Sequence, residues 1–146
     1  MQKDLICQAY EDLESSVKLL EYSLLKYKPF DPTVVYSYED LEYYDSLSFR
    51  FEKVVEMFLS FFKSLEIYLY GDLSQTIRQR LQRIEKLGII NNLEDYMEAK
   101  LLRNKVVHAY LPEKLEKIYE TIAKLSSIFL QDFDKIKKYV QEEIKC

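Results

Sequence analysis

The sequence predicts an all-α fold, an up-and-down four-helix bundle with one additional short helix. Three observations predict it. The 146 residues hold only two glycines and three prolines, too few turn residues for a sandwich or barrel. Lysine, glutamate and leucine are abundant, and apolar residues recur at three- and four-residue steps over most of the chain. Length and the lack of repeats or linkers lead us to expect one domain over residues 1–146. Eight phenylalanines and 13 tyrosines point to an aromatic interior without tryptophan.

A first helix is expected over residues 4–27. Leu5, Ile6, Ala9, Leu13, Val17, Leu20, Leu24 and Tyr27 form its apolar stripe. Pro29 and Pro32 in "KPFDPT" end it, because they lack an amide donor and push the residues before them out of helical geometry. Ser37 with Asp40 three residues on marks the next start. The second helix should run from 38 to 70 and stop at Gly71. Its arc, from Leu41 through Phe51 and Phe58 to Leu69, is widened by Phe49, Val55 and Phe62.

Ser74 is read as opening a short third helix, with Ile77, Leu81, Ile84 and Leu87 inward and Gly88 as a left-handed cap. Asn92 caps a fourth helix over 93–110. Pro112 begins a fifth that reaches 144, with Leu115, Ile118, Ile122, Leu125, Phe129, Phe133, Ile136, Val140 and Ile144 in register.

Charge and cysteine usage bound the functions. The net charge of −4 argues against a dedicated sequence-reading DNA binder. Residues 1–66 hold 7 basic and 13 acidic side chains, residues 67–146 hold 14 and 12, so basic character lies in the second half. There "RQRLQRIEK" carries Arg78, Arg80, Arg83 and Lys86, either a solvated helix face or a strip for phosphates. The N-terminal stretch "MQKDLICQAYEDLE" carries charges where a secretion signal needs an apolar run, so a cytoplasmic location is expected. No membrane span is expected either. Cys7 and Cys146 match no metal spacing and are expected to be free thiols. One histidine and no Glu-x-x-His pair give no ground for a metal site, and no cofactor is expected.

The chemistry-bearing stretch is "RNKVVHAY", residues 103–110, around the one histidine. On a helical wheel Ala99, Leu102, Val106 and Ala109 form a small apolar stripe suited to the bundle, with Tyr110 at its edge. Leu93, Met97, Leu101, Asn104 and His108 form a second stripe that turns from apolar to polar. His108 is therefore read as outward-facing, not as a core histidine. The apolar half of its stripe is expected to form a surface beside it, suited to a two-fold homodimer.

Arg103, His108 and Tyr110 stand in the R-x-x-x-x-H-x-Y pattern, with polar Asn104 after the arginine, and this resembles the signature of HEPN-domain ribonucleases, above all HepT-type toxins. "RFEKVVEMF" (50–58) and "KLGII" (86–90) are similar to corresponding stretches of HepT-like and nucleotidyltransferase-substrate-binding proteins, so the resemblance covers roughly residues 40–112. The second stretch lacks the tryptophan of the substrate-binding subgroup. The resemblance implies a metal-independent endoribonuclease toxin acting on cellular RNA, such as tRNA or mRNA, as a homodimer. It also implies a partner nucleotidyltransferase antitoxin that attaches AMP to Tyr110 and silences the enzyme.

The residue chemistry suits that activity. His108 can move a proton near neutrality, Arg103 can fork onto phosphate oxygens, and Asn104 can orient either. Lys105 joins the basic strip of the short helix as a candidate RNA contact. The other reading is a non-catalytic subunit that presents substrate to a nucleotidyltransferase.

Overall fold

The computed structural model describes residues 2–108 and 111–146, with the backbone alone for Val107 and His108. All regular structure among them is helical. The order is α1 (Gln2–Leu25), α2 (Tyr38–Tyr70), α3 (Ile77–Lys86), α4 (Leu93–His108) and α5 (Pro112–Tyr139), continued by a π-helical turn over Val140–Ile144. No helix of the described residues is long and apolar enough to cross a membrane.

Helix boundaries follow local chemistry. The Ser37 hydroxyl accepts the Asp40 amide at 3.2 Å to open α2, and Gly71, at φ 73°, closes it by donating to the Ile67 carbonyl. α3 starts two residues later than Ser74 leads one to expect. Thr76 and Gln79 form a reciprocal capping box, and Ser74 is drawn away to bind Glu66. Asn92 accepts the Glu94 amide through its side chain at 2.9 Å, and Pro112 occupies the first turn of α5.

The interior is a connected aromatic and aliphatic cluster. Phe51, Phe58 and Phe62 of α2 meet Phe129 of α5 and the fully buried Tyr96 of α4, which stacks on Phe129 with ring centroids 4.5 Å apart. The Tyr96 hydroxyl donates to Asp132 at 2.8 Å, and Asp132 also accepts the Asn91 amide, so this buried polar pair is satisfied. Burial holds the Asp132 carboxyl above its ordinary range and the Tyr96 phenol well above its own.

Three expectations are corrected. Leu5, Leu41, Phe49 and Leu69 do not join the core and are exposed, Phe49 at 68%: Leu5 lies beside the inward arc of α1, Phe49 on the opposite face of α2, and Leu41 and Leu69 in the two end turns of α2. Leu93 is buried in the protein's own core, beside the capping turn, so it does not line an apolar outer stripe with Leu101. Cys7 and Cys146 are not free thiols: they form a disulfide that ties the first turns of α1 to the end of the chain. Sequence separation hides this pair, whereas α1 and the C-terminal turn lie side by side in the fold.

Candidate functional site

The candidate site lies on the outer face where α4 passes α2. Ala99 and Leu102 turn inward and are buried, and Val106 is half-buried, as the helical wheel predicts. That orientation sends Arg103, Asn104 and Lys105 to solvent. The Arg103 guanidinium (Nη1) donates to Glu56 Oε1 of α2 at 3.0 Å, with both side chains about half exposed. His108 is the last residue of α4, and its imidazole lies outside the described atoms. Ala109 and Tyr110, expected at the core stripe and at its edge, lie outside the described residues.

α2 and α4 run antiparallel through this region. Tyr96 packs edge-on against Phe58 and Phe62, and seven residues further along α4 Arg103 meets Glu56. Advancing along α4 towards His108 thus means moving back along α2, from Glu56 to Glu52. Glu52 is half-buried. Burial raises its carboxyl above the ordinary glutamate range, the Arg103 charge opposes the shift, and Glu56 adds to it. Two carboxylates one helical turn apart therefore frame the motif's arginine. Neither stands out in the sequence, although both fall in the "RFEKVVEMF" stretch; an i, i+4 acidic pair on an amphipathic helix looks like ordinary surface charge.

The basic strip has a different environment. Arg78 is paired with Glu94 at the start of α4. Arg80 Nε donates to the fully buried Glu66 at 3.1 Å, and Arg83 bridges Glu66 at 3.2 Å and Asp72 at 2.9 Å while lying over the Tyr70 ring. Burial of Glu66 opposes its ionisation, but hydrogen bonds from Ser74 and Arg80 prevail and hold its carboxyl below the usual range. These arginines thus fasten α3 to α2 and α4. Lys86 is exposed at the end of α3 and Lys105 on α4. Arg78 pairs with the first turn of α4, whereas Arg103 lies nine residues along it, roughly 13 Å of helix away. The fold does not bring the strip and the motif together.

Among the described residues no three histidine, cysteine, aspartate or glutamate side chains are grouped to hold a metal ion. Comparison with family models finds no match, and neither curated proteins nor solved structures yield a similar chain.

Proposed function

We propose that the chain is a metal-independent endoribonuclease toxin of the HEPN class. It cleaves cellular RNA through attack of the 2′-hydroxyl on the adjacent phosphorus. Arg103 neutralises charge growing on the phosphate oxygens, His108 transfers a proton, and Asn104 orients the imidazole or the phosphate. The observation that carries this reading is the outward placement of Arg103 and Asn104 on α4, opposite the buried Ala99 and Leu102. Both side chains are thereby open to solvent, where an RNA phosphate could reach them. Cleavage of RNA by the purified chain, and its loss in Arg103→Ala and His108→Ala, tests the reading.

In the same proposal the active form is a homodimer in the cytoplasm. Its partner is a minimal nucleotidyltransferase that silences the enzyme by attaching AMP to Tyr110, which adds bulk and negative charge where RNA phosphate must bind. With Leu93 buried, the dimer contact beside the motif rests on Leu101, which is 64% exposed.

One observation favours the second reading, a non-catalytic subunit presenting substrate to the nucleotidyltransferase. Arg78, Arg80 and Arg83 are all engaged by carboxylates, Arg78 while still exposed, which leaves Lys86 and Lys105 as the exposed cations of the proposed RNA contacts without a carboxylate partner among the described residues.

A further inference from the structure

α1 and α2 lie antiparallel, and their shared outer face carries large apolar side chains that remain exposed. The Arg50 guanidinium donates to the Leu19 carbonyl at 3.2 Å and the Tyr43 hydroxyl to the Ser23 carbonyl at 2.7 Å, so α1 advances as α2 recedes. Leu19 and Phe49 therefore stand at one level, and both wall an open cavity of about 450 Å³ between the helices. Phe49 is 68% exposed and Leu19 52%. Tyr22, whose ring the same Arg50 overlies at 5.9 Å, is 54% exposed. Single exposed apolar residues are ordinary, but three grouped on one face mark a surface for a partner.

The charges on this face say which partner. On α2, Asp45 lies four residues before Phe49 and Lys53 four after it. On α1, Asp12 lies seven residues before Leu19 and Lys26 seven after it. Steps of four and seven return to one side of a helix, and all four side chains are exposed. None of the four is in an ion pair among the described residues; Asp12 accepts from Gln8, and Lys26 donates to the Tyr22 hydroxyl. Both helices thus change sign at the level of Leu19 and Phe49. A half-turn about an axis at that level, at right angles to the helices, lays α1 antiparallel on α1 of a second copy and α2 on its α2. Asp45 then meets Lys53 of the second copy, and Asp12 meets Lys26, each pair made twice. Glu42 comes opposite Glu56, whose charge Arg103 already balances. Two carboxylates matched by two cations do not suit a polyanion such as RNA.

We infer that this face is a self-association surface, on which the chain pairs with a second copy of itself about a two-fold axis at Leu19 and Phe49. Over the 24 residues of α1 the two helices offer a face roughly 36 Å long and about 20 Å wide. That is about 700 Å², close to the roughly 800 Å² that each partner buries in a stable interface. Phe49 meets Phe49 of the second copy at the centre, and the charged pairs form the rim. The surface is separate from the Leu101 contact on α4, and it does not depend on the chain being a ribonuclease.

Sedimentation velocity of the purified, oxidised chain at micromolar concentration tests the pairing. Asp45→Lys and Lys53→Asp should each weaken association by on the order of 100-fold and halve the mass of the assembly. The variant carrying both reversals should recover the wild-type mass, because opposite charges meet again. In a second measurement Phe49→Cys, placed at the axis, should oxidise to a covalent dimer linked through position 49. Ser60→Cys, eleven residues further along α2 and exposed as well, should not link to its own copy. The cysteine variants decide the matter if a charge variant fails to fold. A monomeric wild type, an assembly indifferent to the single reversals, a double variant that stays apart, or no link through position 49 overturns the inference. An assembly that survives both reversals and parts only in Leu101→Glu rests on α4 and overturns it too.

Discussion

Arg103 of α4 and Glu56 of α2 form an ion pair of 3.0 Å on the surface where the two helices cross, with 57% and 45% of their side chains exposed. Water screens such a pair, so it is worth less than about 1 kcal/mol to the fold. Arg103→Ala should therefore lower the melting midpoint by no more than roughly 4 °C, readable by circular dichroism. A far larger loss, on the order of 10 °C, would make Arg103 a structural residue and remove the reason to see a phosphate ligand in it.

Glu66 behaves in the opposite way. It is fully buried and bound by Ser74, Arg80 and Arg83. Removing its charge by Glu66→Gln strands Arg80 and should cost roughly 3 kcal/mol of unfolding free energy in a urea titration. The sign with pH follows from its lowered folded-state pKa. The stabilisation is present in full above the ordinary glutamate range and is lost as pH falls through the depressed value. Wild type and Glu66→Gln should accordingly converge in stability in acid; a gap that stays constant down to that range contradicts the ionised assignment.

The disulfide joins residues 139 apart, nearly the whole chain. Closing so long a loop restricts the unfolded state, and reduction should cost about 2–5 kcal/mol. Native protein should take up no thiol-alkylating reagent before reduction and two equivalents after it. Alkylation of both cysteines without reductant would show them free. In the reducing cytoplasm proposed for the chain the dithiol form must carry the activity, so the reduced chain should keep its helical circular dichroism at about 25 °C.

Much of this fold is legible in the sequence. The extent of α2, the glycine cap at Gly71, the Asn92 cap and Pro112 at the start of α5 follow from local rules that the structure repeats. Long-range pairings are not legible. Ser74 reads as a helix cap until Glu66 claims it, and Cys7 meets Cys146 only because the bundle brings its two ends together. Likewise, α3 reads as a basic strip because the carboxylates that bind it come from α2, α4 and the turn after α2. At the site, the outward turn of Asn104 follows from the wheel, on which it shares a stripe with His108. The part played by Glu52 and Glu56 does not, since it depends on which helix lies opposite.

Control by the proposed partner rests on Tyr110. Incubation with the cognate nucleotidyltransferase, ATP and magnesium should add AMP mass to the wild type but not to Tyr110→Phe, as intact-protein mass spectrometry reads directly. The phenylalanine variant should fold, keep some nuclease activity and escape silencing. AMP on the phenylalanine variant would place the modified residue elsewhere.

Cleavage chemistry tests the central claim most directly. Purified protein incubated with RNA in EDTA should release fragments ending in 2′,3′-cyclic phosphate, and Arg103→Ala and His108→Ala should each abolish that release while remaining helical. Intact RNA under these conditions, or cleavage that appears only when a divalent metal is restored, would contradict the account.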